Sequence, residues 1–331
     1  MTIQENISLL PYNTFRMDVK ARYLAQYESI DELIELLNKF QDTRRLFIGE
    51  GSNLLFTGDF DGLVCQSKMC RAAATKETEE DVWIEVQGGL KLDLLIEQVA
   101  DMQLYGLENL SYIPGQVGAG AVQNVGAYGR EIKDCIEQVN AWDLQTMQSV
   151  SFTREECHYA YRDSLFKREG KNRYIITSVV FRLSKTPQLH LEYGNLKEYL
   201  QQDANPQQVR QTIIQIRKKK LPEVSELGSA GSFFKNPIVS ADKFNNLKEK
   251  YKDIPSYPVG DNYKIPAAWL IEQCGWKGKT VGGAKVYDRQ PLVIVNTGNA
   301  TSSDICSLAK QIVDSVYNRF QITIDKEVEY V

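Results

Sequence analysis

Residues Ile113 to Gly129 read IPGQVGAGAVQNVGAYG, with five glycines, one proline and no charged side chain in seventeen positions. Glycine reaches positive φ and lets a backbone come close to a ligand, so a run this dense argues against a packed strand or helix. It points to a loop whose amides wrap a large polar ligand; a buried, tightly turned connection is the plainer alternative. A second turn of the same character, Gly49-Glu50-Gly51-Ser52-Asn53, follows Arg45-Leu46-Phe47-Ile48, which reads as a buried strand. Two such loops can hold a diphosphate by main-chain N–H groups. The common dinucleotide fingerprint is not met. It needs a third glycine where this chain has Leu54, then an acidic residue about twenty positions on, where Cys70, Arg71 and three alanines stand. A Rossmann phosphate turn is disfavoured; a nucleotide cofactor is not.

Composition narrows the field. At 331 residues the chain can hold two or three domains with a sizeable core. A net charge of −4 and the lack of a long basic tract leave no footprint for nucleic acid. No apolar run reaches the length of a membrane span, and MTIQENISLLPYNTF lacks the charged and apolar regions of a secretory signal. Cys65, Cys70, Cys135, Cys157, Cys274 and Cys306 form no CxxC and suit reduced thiols in a cytoplasm. Histidine is limited to His158 and His190, without further ligands at metal spacing. No metal is expected, and proton transfer falls to Ser, Tyr, Lys or a carboxyl.

Strand and helix alternate at first. Tyr23 to Tyr27 reads as a strand, and Ser29 with Glu32 as a capping box before the stripe Leu33, Ile34, Leu37 and Phe40. Short strands at 45–48, 63–65 and 82–86 precede a helix over 92–102, and 135–183 reads mainly as strands. Asn205 caps a helix with Pro206 in its first turn, which ends in Arg217-Lys218-Lys219-Lys220-Leu221-Pro222. The character of the chain changes there, placing a boundary within 205–222. A second α+β unit follows. It has a strand near 231–239, helices near 241–251 and 266–274, strands near 283–287 and 292–296, and a helix over 303–320. That helix is striped by Ile305, Leu308, Ile312, Val316 and Phe320, and an alternating strand runs from Ile322 to Val331.

Gly228-Ser-Ala-Gly-Ser-Phe-Phe-Lys-Asn-Pro237 surrounds Ser232 with small residues, so that its hydroxyl can project into a cleft; an ordinary strand entry is an equal reading. Taken with Asn13-Thr14-Phe15, GEGSNLLF (49–56), GLENLSYIPGQVGAGAVQNVGAYG (106–129), YRDSLFK (161–167), KLPE (220–223), AAWLIEQCGWKG (267–278), GGAKVYDRQPLVIVN (282–296) and Asp325-Lys-Glu-Val328, the chain resembles the UDP-N-acetylenolpyruvoylglucosamine reductase family over nearly its whole length.

The resemblance implies an α+β chain with an FAD-binding fold of the vanillyl-alcohol-oxidase/PCMH type in two subdomains, 1–68 with 321–331 and 69–205, and a smaller α+β substrate-binding domain over 206–320. It implies noncovalent FAD, NADPH as reductant, and the enolpyruvyl ether of UDP-N-acetylglucosamine as substrate, in peptidoglycan precursor synthesis. A cytoplasmic monomer is the expectation. Gly49, Gly51, Ser52 and Asn53, with Gly115, Gly118 and Gly120, would cradle the pyrophosphate. Asn124, Gly126, Ala127 and Tyr128 would line the flavin, and Leu54, Pro114, Val117 and Gln123 complete the cofactor set.

Hydride addition at C3 of the vinyl group pushes charge toward the carboxylate and leaves C2 to be protonated. Arg162 matches the residue that stabilises that charge, Glu327 the carboxyl at the same end, and Ser232 the proton donor to C2. Tyr193 matches a tyrosine on a loop that closes over the UDP-sugar, Lys220 and Asn236 groups near the diphosphate and sugar, and Gln290 one near the uridine. Tyr287 stands where the family often has histidine. The basic run 217–220 could draw NADPH phosphates or simply be a solvated helix end. Two other readings are an oxidase of the same flavin fold and a flavin-binding regulatory protein. The first would usually place a histidine in the glycine loops; the second would leave Ser232, Arg162 and Glu327 without purpose.

Overall fold

A computed structural model describes every residue except Asn195 and Gln202. The chain gathers into two units. The first comprises Met1–Ile7, Ala21–Glu50 and Asp61–Arg217, and the second Ser8–Lys20, Gly51–Phe60 and Lys218–Val331.

The first unit is built on two sheets. One has strand order Thr2–Ser8, Lys20–Tyr27, Phe60–Ser67, Arg45–Ile48. Its last two strands are parallel, with Arg45 opposite Leu63 and Ile48 opposite Gln66. Parallel neighbours need a crossover, and here it begins with the turn at Gly49. Helix Ile30–Lys39 buries Leu33, Leu36 and Leu37 in one core with Ala25, Tyr27, Leu63 and Cys65. Ser29 caps this helix by accepting the Glu32 amide at 3.1 Å. The expected reciprocal half of the capping box is replaced: the Glu32 carboxylate is engaged by the Glu28 amide and the N-terminal ammonium group.

The other sheet is antiparallel, in the order Gln148–Thr153, Ile136–Asp143, Tyr174–Ser184, Asp81–Gln87, Ala72–Glu77. Residues 135–183 were expected to be mainly strand; between Thr153 and Tyr174 the chain forms turns and a short 3₁₀ segment instead. Val179, Phe181 and Leu183 meet Leu92, Leu95, Ile96 and Val99 of helix Leu92–Asp101 in the larger core. Helix Pro206–Lys220 opens with a true capping box, in which Asn205 Oδ1 accepts the Gln208 amide at 2.9 Å and Gln208 Oε1 accepts the Asn205 amide at 2.8 Å.

In the second unit, Gly228–Ser232, Val293–Asn296, Ala284–Val286 and Thr280–Val281 form an antiparallel sheet in that order. Helix Ser302–Phe320 buries the whole predicted stripe, Ile305 through Phe320, and opens with a reciprocal cap between Thr301 and Asp304. A three-stranded sheet, Ile238–Ser240, Asn262–Lys264, Tyr257–Val259, stacks Tyr263 on Phe244 of helix Ala241–Lys250. The strand expected over 322–331 is mostly irregular. Ile322, Ile324 and Val328 are buried as the alternation predicts, but the backbone changes partners along its length. It meets Phe234 at Lys326, and then Leu54 and Leu55 in parallel at Glu329–Tyr330.

In the first unit Asp143 is buried beneath Arg173, whose Nε and Nη2 donate to its two oxygens at 3.0 and 2.7 Å. The Arg173 guanidinium, helped by the Gln145 amide, holds the Asp143 carboxyl down to about 2, against its ordinary 3.8. A depressed folded-state value stabilises fully above the ordinary pKa and is lost as pH falls through the folded one. Asp143→Asn should therefore lower the melting temperature by several degrees at pH 7, and the gap to the native protein should close between pH 4 and pH 2. A gap constant over that range would show that the charge pair is not what stabilises this corner.

Candidate functional site

The long glycine run is not the open loop its composition suggests. Val117–Gln123 is a short helix. Its Val117 and Gly118 amides donate to the carbonyls of Leu90 and Gly88 at 2.8 and 2.9 Å. A Cβ on Gly118 would stand 3.2 Å from the Gly88 oxygen and 3.3 Å from its Cα. The helix thus lies backbone against backbone on the end of strand Asp81–Gln87. The Gly115 amide donates to the Glu50 carboxylate at 2.8 Å, and Glu50 pairs with Lys91 at 2.8 Å. The two glycine turns are joined here by a side chain that sequence reasoning left without a role. Gly49 lies against Ala119 and Gln116, and its carbonyl accepts Gln66 Nε2. Gly120 packs on Ile132, Gln123 closes the helix half-buried, and Pro114 is exposed.

Asn124 ends the helix in the left-handed region, at φ 49° and ψ 56°, and is fully buried. Its Nδ2 donates to the Ala160 carbonyl at 2.8 Å and to Glu131 at 3.1 Å, and its Oδ1 accepts the Lys133 amide. Gly126-Ala127 then pairs with Arg130-Glu131 as a hairpin whose central residues, Tyr128 and Gly129, have φ of 48° and 81°. Positive φ at both centres is the pattern of a type I′ turn, an uncommon seat for an aromatic residue. Buried Asn109 holds it there, its Nδ2 donating to the Tyr128 carbonyl at 2.9 Å and to that of His190 at 2.8 Å. Tyr193 and Gly194 follow, packed against Gly129 and Tyr128. The sequence-predicted Tyr128 and Tyr193 are thereby brought together, and Asn109, which sequence reasoning missed, ties Tyr128 to the chain at His190. Burial raises the Tyr128 phenol and lowers the Arg217 guanidinium, and each draws the other partway back. Arg217 turns inward to the Tyr112 carbonyl, so the basic run is split: only Lys218, Lys219 and Lys220 are exposed.

Arg162 sits at φ 55° in the tight turn Ala160–Asp163, closed by hydrogen bonds in both directions between its end residues. Its guanidinium donates to the carbonyls of Gly126 and Asn124 and lies 3.6 Å from Glu131. Predicted catalytic and flavin-lining residues of this unit therefore share one network.

In the second unit, Gly51 has φ 61°, and a Cβ there would collide with the Tyr12 carbonyl. The facing loop is locked by buried Asn13, which bonds the backbone at Leu9 and Met17. The Thr14 amide donates to Gly51 at 3.3 Å, while the Thr14 hydroxyl oxygen is buried without a protein partner. Ser52 is half-buried, and Leu54 pairs with Glu329. Asn53 Nδ2 donates to the Glu327 carbonyl at 3.0 Å, and its own carbonyl accepts the Glu329 amide at 3.0 Å. A predicted cofactor residue thus fixes the backbone of a predicted catalytic one.

Ser232 pairs with Val293, and Phe233 donates to Leu292 on one side while accepting the Glu327 amide at 2.9 Å on the other. Ser232 and Glu327 are half-buried and lie on neighbouring chain segments. Gln290 forms the turn before Val293. Asn236 Oδ1 accepts the Ala267 amide at 2.9 Å, capping helix Ala267–Gln273, and Lys220 is exposed at the end of its helix. Among the described residues no cluster of His, Cys, Asp and Glu could hold a metal ion, and no helix is long and apolar enough to cross a membrane.

Comparison with known proteins bears on the whole chain. A family profile described as the UDP-N-acetylenolpyruvoylglucosamine reductase C-terminal domain matches residues 222–331, and one described as an FAD binding domain matches 21–146. The UDP-N-acetylenolpyruvoylglucosamine reductase of Bacteroides fragilis strain YCH46 is 42% identical over 333 aligned residues, covering 99% of this chain and 100% of its own. That of Porphyromonas gingivalis strain W83 is 41% identical over the full length of both. Among solved structures, the Thermus caldophilus enzyme superposes with a TM-score of 0.70 at 24% identity, covering 100% of this chain and 99% of that one. The expected architecture, a mixed α+β chain with an FAD-binding fold and a smaller C-terminal domain, is borne out.

Gly51→Ala should cost on the order of 1–3 kcal/mol, from an L-residue at positive φ and the displaced Tyr12 backbone. Chemical unfolding measures it, and an unchanged midpoint would mean that the turn is not wedged against the Asn13 loop.

Proposed function

The chain belongs to the UDP-N-acetylenolpyruvoylglucosamine reductase family, and from that premise we propose how its residues carry the reaction. The protein is an FAD-dependent oxidoreductase of peptidoglycan precursor synthesis. It uses NADPH to reduce the enolpyruvyl ether of UDP-N-acetylglucosamine to UDP-N-acetylmuramate. The reading rests on one observation above the others. In a chain alike to these reductases from end to end, the Ser232–Lys235 segment is hydrogen-bonded to the segment that carries Glu327.

The residues present fit a flavin nucleotide. The buried Thr14 hydroxyl without a protein partner lies beside the Gly51 turn and suits a phosphate oxygen. Exposed His158 and His190 lie outside the glycine turns, which supports a noncovalent cofactor over a histidyl-linked one. When bound and reduced, FAD would supply the hydride for C3 of the enolpyruvyl group. Everything else falls to the chain. Arg162, its guanidinium fixed by two carbonyls, stabilises charge spreading onto the substrate carboxylate without reorganising at the moment of reaction. Ser232 gives its hydroxyl proton to C2. Glu327 hydrogen-bonds the same end of the intermediate, with its backbone held by Asn53 and Phe233.

Tyr193 closes over the UDP-sugar from its seat on Tyr128 and Gly129. Lys220 meets the diphosphate by charge, with Asn236 near the sugar and Gln290 near the uridine. The six free cysteines suit a cytoplasmic setting.

Anaerobic absorbance spectroscopy tests the proposal. The flavin band should bleach with NADPH and return with the enolpyruvyl substrate; return only with oxygen would make the protein an oxidase. Ser232→Ala should leave reduction by NADPH intact and slow reoxidation by substrate roughly 10²–10⁴-fold. Glu327→Gln should slow the same half-reaction. Equal damage to both half-reactions would remove either residue from its role.

A further inference from the structure

We infer that Glu131 is a positioning residue for Arg162, setting the direction in which its guanidinium meets the substrate carboxylate. The inference rests on the proposed role of Arg162. Glu131 stands directly opposite Gly126 in the hairpin register, and Gly126 is the residue whose carbonyl accepts from Arg162. A Cβ on Gly126 would lie 2.9 Å from Arg162 Nη1 and 2.9 Å from Glu131 Cγ. The guanidinium and the Glu131 side chain thus both crowd a position that has no room for a side chain of its own. The carboxylate is shared: Oε1 is 3.6 Å from Arg162 Nη1, while Oε2 is 3.0 Å from Lys133 Nζ and accepts Asn124 Nδ2 at 3.1 Å. Its own amide donates to Asp134 at 2.9 Å, so the side chain starts from a fixed backbone.

The charges explain why a carboxylate belongs here. Arg162 and Lys133 both approach Glu131, and without it two cations would share a half-buried corner. A carboxylate between them offsets part of that charge and gives both cations a common partner. Arg162 has 15% of its side chain exposed and Glu131 23%, so the pair is screened less than a surface ion pair. The Gly126 and Asn124 carbonyls fix the guanidinium from the backbone, and Glu131 adds a charged side chain that resists its turning toward Lys133 or solvent.

The test is a double-mutant cycle read in separate half-reactions. Glu131→Gln keeps the shape and an acceptor for Asn124, and loses the charge. It is expected to leave flavin reduction by NADPH unchanged and to slow reoxidation by the enolpyruvyl substrate roughly ten- to a hundredfold. Glu131→Asp, which keeps the charge but falls short of Arg162, is expected to be slowed in that half-reaction alone. In an Arg162→Lys background, Glu131→Gln should cost nothing further. Equal slowing of both half-reactions, or a full additional loss in the Arg162→Lys protein, would make Glu131 a structural residue of the hairpin and overturn the inference. If Arg162→Lys itself reoxidises normally, the role of Arg162 fails, and the positioning role of Glu131 falls with it.

Discussion

A helix that lies with its backbone against a strand end can carry no side chain on the contacting face. The contact between Gly118 and Gly88 meets that condition, and the arrangement of the Asn124–Arg162 network follows from it. With the helix seated, its C-terminus falls where Asn124 can turn the chain in the left-handed region and reach Ala160 and Glu131 with one side chain. The Ala160–Asp163 turn is thereby anchored, and Arg162 is aimed at the two carbonyls that hold it. A larger residue at Gly118 would press on Gly88 and strain the seat of the helix that ends at Asn124.

Three residues of that network, Asn124, Tyr128 and Arg162, occupy positive φ although none is glycine. Such conformations cost on the order of 1–3 kcal/mol each and persist only where surrounding bonds over-determine them. The compensation is visible in each case. Asn124 is held by its own buried side chain, Tyr128 by Asn109, and Arg162 by reciprocal backbone bonds across its turn. Glycine would relieve the strain at all three, but at Asn124 and Arg162 it would remove the side chains that tie the hairpin to the Ala160–Asp163 turn.

What the sequence disclosed divides along physical lines. Patterns set by local periodicity were legible: the stripe from Ile305 to Phe320, the strand Arg45–Ile48, and the Asn205 cap before Pro206 all stand where expected. What failed depended on a distant partner. The glycine run read as a loop because glycine is a poor helix former, and no local pattern announces that Gly88 will lie 3.3 Å from a missing Cβ. Glu32 was at the right spacing to complete a capping box, but the N-terminal ammonium group and the Glu28 amide took its carboxylate. The site shows the same division. Motif order picks out residues such as Ser232 and Arg162, whereas the parts that Asn109 and Glu131 play in placing their neighbours run through main-chain groups and charges that no local pattern announces.

The second unit solves its positioning problem by another route. Ser232 belongs to a segment whose next residues are bonded on both sides, to Leu292 through Phe233 and to Asp325 through Lys235. Neighbouring strands stand about 4.8 Å apart whatever their side chains, so backbone pairing sets the separation of the Ser232 and Glu327 chain segments. Buried Phe233 and Phe234 give that pairing an apolar base, and Asn53 closes the last segment from its outer side. The frame at Ser232 and Glu327 is thus set by main-chain bonds, whereas the turn at Gly51 depends on a missing Cβ, which would strike the Tyr12 carbonyl.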